Sequence, residues 1–198
     1  MGLSKLSAFS KTMSLDQPDS LNFDGSDLRF GLIAARFNLR MVDAMLENCV
    51  NVWEQAGVAP SNVELQRVPG SNELPYAAAM LAKTLQFDAI VVLGLVLAGE
   101  TPHHEVIADS TGQSLQRIGL DTEVPVINGI VVVHTEAQAE ARALGEINRG
   151  REFGLAALEM GLLKRQLSER LDKLESEQGP ASGEKWDGLS KKGNPWKL

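Results

Sequence analysis

A single cysteine, Cys49, occurs in 198 residues. That excludes a disulfide framework and a cysteine-based zinc site; the residue reads as a buried structural thiol in a protein kept in a reducing compartment. Positive charge is also short. Nineteen Lys and Arg stand against 26 Asp and Glu, for a net charge of −7, and the acidic surplus is larger once the mixed tail from Lys164 is set aside. No basic face is offered to a phosphodiester backbone, so nucleic acid is excluded as a partner of the main body. Long apolar runs are missing too, because the longest is broken by Gly94 and Gly99. A bilayer-spanning helix needs roughly twenty apolar residues, so no membrane partner is expected. Met1 to Asp27 mixes Ser, Lys, Asp and Asn around no continuous apolar stretch and reads as a disordered arm, neither a signal peptide nor an anchor. A soluble, cytoplasmic protein is expected.

What the chain does contain is alternation. Leu28 to Ala35 is a short apolar run suited to a buried strand, and it is followed by Arg36-Phe37-Asn38. Met41, Val42, Met45, Leu46, Cys49, Val50 and Trp53 then recur at helical spacing until Gly57. Val63 to Val68 predicts a second strand and Tyr76 to Leu85 a second helix; Phe87 to Leu97 predicts a third strand and His103 to Ile118 a third helix. Val124 to Val133 predicts a fourth strand. Thr135 with Gln138 is a capping-box signature for a further helix, and Asn148-Arg149-Gly150 precedes a long helix from Arg151. Strands this apolar on both faces belong in a parallel sheet covered by helices. The predicted fold class is α/β: a three-layer α/β/α sandwich with a central four-stranded parallel sheet, flavodoxin-like.

One domain is predicted over residues 28–163, after the arm over 1–27 and before an extension over 164–198. That extension carries Leu163, Leu167, Leu171 and Leu174 at four, four and three residues, then a Gly-, Ser-, Lys- and Pro-containing tail read as disordered beyond Gly179.

In open parallel sheets ligands bind beyond the carboxyl ends of the strands, and the segments there are chemically rich. After the third strand come Gly99, Glu100, Thr101, Pro102 and His103. Pro102 reads as the first helical residue, which directs free backbone N–H groups and the positive end of a helix dipole at an anion such as phosphate. His103 lies within one turn as a proton carrier, since an imidazole titrates near working pH.

These residues, in order, are Arg36-Phe-Asn38, Val68-Pro-Gly-Ser-Asn-Glu-Leu-Pro75, Gly99-Glu-Thr-Pro-His103, Pro125-Val-Ile-Asn-Gly129, Gln138 with Arg142, and Asn148-Arg-Gly150. Over about residues 28 to 163 the chain resembles the 6,7-dimethyl-8-ribityllumazine synthase family. The resemblance implies condensation of 5-amino-6-(D-ribitylamino)uracil with 3,4-dihydroxy-2-butanone 4-phosphate, releasing phosphate and water, with no metal and no organic cofactor. It assigns His103 as the catalytic histidine. Phe37, Asn38, Ser71, Asn72, Glu73, Leu97 and Asn128 are assigned to the pyrimidine and ribityl chain, and Glu100, Thr101 and Arg142 to the phosphate, with Arg142 supplied by an adjacent subunit. Arg149 and His134 are further polar candidates, and His104 is expected as a variable surface position where the family often has an aromatic residue. The resemblance also implies a homopentamer or a multiple of it, with sites at subunit boundaries, and riboflavin synthase as a further partner. Asn72, Asn128 and Ala98 depart from the family pattern. An alternative is therefore a weakened relative that binds a ribityl-pyrimidine or flavin, or serves as an assembly scaffold.

Overall fold

A computed structural model describes residues 23–178. Its elements alternate as expected: β1 (Phe30–Ala35), α1 (Leu39–Gln55), β2 (Val63–Val68), α2 (Leu74–Ala82), β3 (Ala89–Leu97), α3 (His103–Thr122), β4 (Val126–Val133), α4 (Glu136–Ala143) and α5 (Arg149–Gln178). All strands pair in parallel, in the order β2-β1-β3-β4. The α/β class and flavodoxin-like order are therefore as the sequence predicts. Among the described residues no helix is long and apolar enough to cross a membrane.

The sheet is buried on both sides because its central strands are apolar at every position. Along β1, Phe30, Leu32 and Ala34 face one core with α1 and α5 residues such as Met45, Trp53 and Leu158. Ile33 faces the other, with Leu74 and Ala78 of α2 and Leu115 of α3. Alternate side chains of a strand point to opposite faces, so one uninterrupted apolar run feeds two layers of helix. Trp53 anchors the first core: its ring stacks on Phe30 with centroids 4.3 Å apart, and its Nε1–H donates to the Gly154 carbonyl at 3.0 Å. Cys49 is fully buried in the same cluster, where burial pushes its thiol far above the ordinary range.

Several boundaries differ from expectation for local reasons. α2 begins at Leu74, not Tyr76, because a 3₁₀ turn at Ser71–Glu73 leads straight into it and Pro75 is tolerated in a first turn. It ends early, and Leu85 takes a left-handed φ of 55°. α3 runs four residues past Ile118 and stops at Glu123, which has φ 58°. The expected arm over 1–27 also changes at its end: Phe23 packs on the core, and the Gly25 N–H donates to the Ala56 carbonyl at 2.7 Å. Residues 1–22 of that arm, and the tail from Gly179, lie outside the described residues.

α5 is latched to the domain before it runs on. Arg165 binds Asp88 through Nε and Nη2, each at 2.7 Å, and Lys164 Nζ donates to the Phe87 carbonyl at 2.7 Å. The hydrogen bonds it donates to Asp88 hold the Arg165 guanidinium above its ordinary value, while burial pulls the Lys164 ammonium below its own. Past this latch the helix continues, with Leu167 and Leu171 exposed.

Candidate functional site

The chain leaves β1 toward β2 on one side and leaves β3 toward β4 on the other, so the loops after β1 and β3 diverge and open a crevice at the carboxyl edge. A cleft of about 310 Å³ lies there, lined by Phe37, Asn38, Ser71, Leu95, Val96, Leu97, Gly99, Thr101, His103, His104 and Ile107. Six of the residues anticipated from sequence meet in it: Phe37, Asn38, Ser71, Leu97, Thr101 and His103.

The β1 loop supplies one wall. Asn38 adopts φ 56° and ψ 42°, a left-handed conformation that asparagine tolerates better than most residues. Its Nδ2 donates to the Leu95 carbonyl at 2.8 Å, tying the loop to β3. The bend leaves Phe37 71% exposed, an open aromatic face beside the cleft. Gly70 makes room for that ring, since a Cβ there would lie 3.1 Å from Phe37 Cδ2 and 3.2 Å from Glu73 Oε2.

Ser71 forms the floor. It is buried because β3 carries a glycine beneath it: a Cβ on Gly94 would come within 2.5 Å of Ser71 Oγ. Gly94 reads in the sequence only as an interruption of an apolar run, and its seating role appears only in three dimensions. Glu73 does not line the cleft. Its Oε2 accepts from the Gly70 N–H at 2.8 Å, so it organises the loop that carries Ser71. Asn72 is exposed and outside the lining.

The opposite wall is the β3–α3 junction. Pro102 is the residue before the helix, not its first position as expected; it has φ −71° and ψ 11°, and α3 begins at His103. His103 is exposed at the mouth and Thr101 sits beside it in the lining. Glu100 is exposed and outside the lining. His104 departs most from expectation. Its side chain is only 12% exposed, it lines the cleft, and its Nδ1 lies 3.0 Å from the Thr101 carbonyl oxygen. The reason is helical direction: as the second residue of α3 it turns back toward the sheet, where the His134 ring meets it edge-on at 6.1 Å.

The remaining candidates lie elsewhere on the same chain. Asn128 on β4 accepts from the Ile130 N–H at 3.1 Å. His134 follows β4, and its N–H donates to Gln138 Oε1 at 2.9 Å. Arg142 on α4 donates through Nη1 to the Gln138 carbonyl at 3.2 Å, and Arg149 is paired with Glu152. None of these four lines the cleft. No group of three or more His, Cys, Asp or Glu among the described residues is placed to hold a metal ion.

Fold and cleft together define a doubly wound parallel α/β protein with a small-molecule site at its switch point, walled by an exposed aromatic ring on one side and a histidine–threonine helix start on the other. Known proteins narrow the class. The family model for 6,7-dimethyl-8-ribityllumazine synthase matches residues 27–165. The 6,7-dimethyl-8-ribityllumazine synthase of Ralstonia pickettii is 39% identical over 158 residues, spanning 80% of this chain and 93% of that protein. The synthase of the same name from Cupriavidus metallidurans is 42% identical over 142 residues, 72% of this chain and 82% of its own. That of Nitrosospira multiformis is 38% identical over 148 residues, 75% and 91% of the two chains. The chain belongs to the 6,7-dimethyl-8-ribityllumazine synthase family.

Proposed function

We propose that the chain is a working lumazine synthase, condensing 5-amino-6-(D-ribitylamino)uracil with 3,4-dihydroxy-2-butanone 4-phosphate. The observation that carries this reading is the convergence of Phe37, Ser71, Thr101 and His103 on one cleft in a member of the family. The pyrimidine lies flat on the Phe37 face, where stacking contributes about 1 kcal/mol beyond burial. Ser71 and Asn38 meet its polar edge. The phosphate ester binds at Thr101 against the start of α3, where backbone donors and the helix dipole favour an anion. Water leaves as the 5-amino group forms a Schiff base with the ketone, phosphate leaves by elimination, and a second water leaves as the ribitylamino nitrogen closes the ring. His103 moves protons between these steps.

Asn72 and Asn128 are the departures that would favour a weakened relative. Neither lines the cleft within one chain, so the wall that Phe37, Leu95 and Leu97 form there does not include them.

Arg142 lies outside its own cleft, which supports an assembly in which it reaches the phosphate of a neighbour; a homopentamer, or a multiple of it, is the proposed form. Riboflavin synthase, which consumes the product, is the proposed protein partner, and the cytoplasm the proposed location. The arrangement is testable by mixing. His103→Ala and Arg142→Ala chains, each nearly inactive at low phosphate substrate, are unfolded together and reassembled. Random assembly leaves about a quarter of boundaries with both groups intact, so activity returns toward that fraction. No recovery from assembled mixed oligomers would mean that both groups serve a site within one subunit or that Arg142 serves none.

A further inference from the structure

We propose that His104 is a positioning residue that sets the anion-binding loop of this site, acting through the Thr101 carbonyl. The segment between β3 and α3 is lightly tethered. At its start the Ala98 N–H donates to the Val133 carbonyl at 2.8 Å. Gly99 has nothing within 4 Å of where a Cβ would stand, and Glu100, Thr101 and Pro102 are all exposed. The first helical hydrogen bonds of α3 go to Pro102, from Glu105 at 3.0 Å and Val106 at 3.3 Å, so the Thr101 carbonyl lies outside the helical ladder. His104 supplies its partner at 3.0 Å.

The acceptor is a carbonyl, so Nδ1 carries the proton and the tautomer is fixed. The ring is held from outside the loop. His134, at the end of β4, meets it edge-on at 6.1 Å, and the Glu105 carboxylate stands 4.0 Å from Nε2. One imidazole thereby links the end of β4 to the peptide between Thr101 and Pro102. Fixing that peptide fixes the residue that lines the cleft beside His103. An aromatic hydrocarbon ring would fill the same space but could not hold the carbonyl.

This rests on the proposed phosphate role of Thr101, and the experiment separates the two. Steady-state rates are measured for the full chain and for His104→Ala, His104→Phe and His104→Asn, varying each substrate in turn; inorganic phosphate is titrated into each protein by calorimetry. His104→Ala and His104→Phe raise KM for the phosphate substrate, and weaken orthophosphate binding, by about three- to tenfold, the worth of one hydrogen bond. KM for the pyrimidine stays within about twofold, a shift of under half a kcal/mol in binding. His104→Asn, whose Nδ2 replaces the Nδ1–H donor, recovers most of the loss. A His104→Phe protein with wild-type constants, or equal rises in both KM values, would overturn the proposal. So would a wild type that binds no orthophosphate. If the wild type makes no lumazine, the functional reading falls, and the orthophosphate titrations alone still decide the role of His104.

Discussion

Replacing His103 by alanine lowers kcat for lumazine formation by roughly two orders of magnitude or more, the usual worth of a positioned general acid–base group. KM for either substrate changes little, because His103 lines its wall only at the exposed mouth, while the Phe37 face and the buried Ser71 floor stand without it. It is exposed and makes no contact that the core needs, so the melting temperature stays near that of the wild type, as for most surface substitutions. The pattern separates chemistry from binding: an interaction made only in the transition state lowers kcat and kcat/KM together. A fall in kcat/KM carried wholly by KM would instead make His103 a binding group.

Gly150→Ala has the largest expected effect on stability. α5 crosses α1 through two glycines one turn apart. A Cβ on Gly150 would lie 2.2 Å from the Met45 carbonyl oxygen and 2.7 Å from its Cα. One on Gly154 would lie 3.0 Å from the Cys49 carbonyl oxygen and 3.2 Å from its Cα. At Gly150 the obstacle is backbone, which cannot rotate away, so the helices must part and loosen the cluster around Trp53. Overpacking of this kind costs about 3 kcal/mol, which lowers the melting temperature by roughly 6–12 °C in a chain of this size. Gly112→Ala is the control. Its Cβ meets only Asn128 Nδ2 at 3.6 Å, and removing a glycine from a helix interior adds up to about 1 kcal/mol. If the two variants melt alike, close approach of α1 and α5 is not what holds the first core.

The strands were legible because a doubly covered strand must be apolar throughout, and β1 and β3 are. β2 was harder to read as an interior element and proves to be an edge, with Glu64, Leu65 and Gln66 exposed. Helix starts were legible to within two residues, since Pro75 and Pro102 fix φ but not which neighbouring residue begins the ladder. The α1–α5 contact was not legible. Gly150 stands in the sequence only as the end of Asn148-Arg149-Gly150, and the need for it and for Gly154 appears only where α1 approaches.

Much of the cleft was legible from chain order alone, because loops that follow parallel strands gather at one edge of the sheet and part at the switch point. Phe37, Thr101 and His103 needed only that rule and the family pattern. Residues that serve the site from beneath or behind it were not: Gly94 acts through Ser71, Glu73 through the Gly70 amide, and His104 through a carbonyl. Each depends on a partner remote in sequence or on the sense in which a helix begins, and neither is written in residue type. The proposed role of Arg142 at a neighbouring subunit's phosphate is hidden in the same way. One chain shows Arg142 satisfied by Gln138 of its own helix, and only an assembly would give it an anion.

Catalysis of the condensation by this chain is measured optically, as appearance of 6,7-dimethyl-8-ribityllumazine from the two substrates with increasing amounts of purified, assembled protein. The initial rate rises in proportion to protein, stands well above the spontaneous reaction, and saturates in both substrates. A rate that stays at the spontaneous background at every concentration of folded, assembled protein would contradict catalysis by this chain.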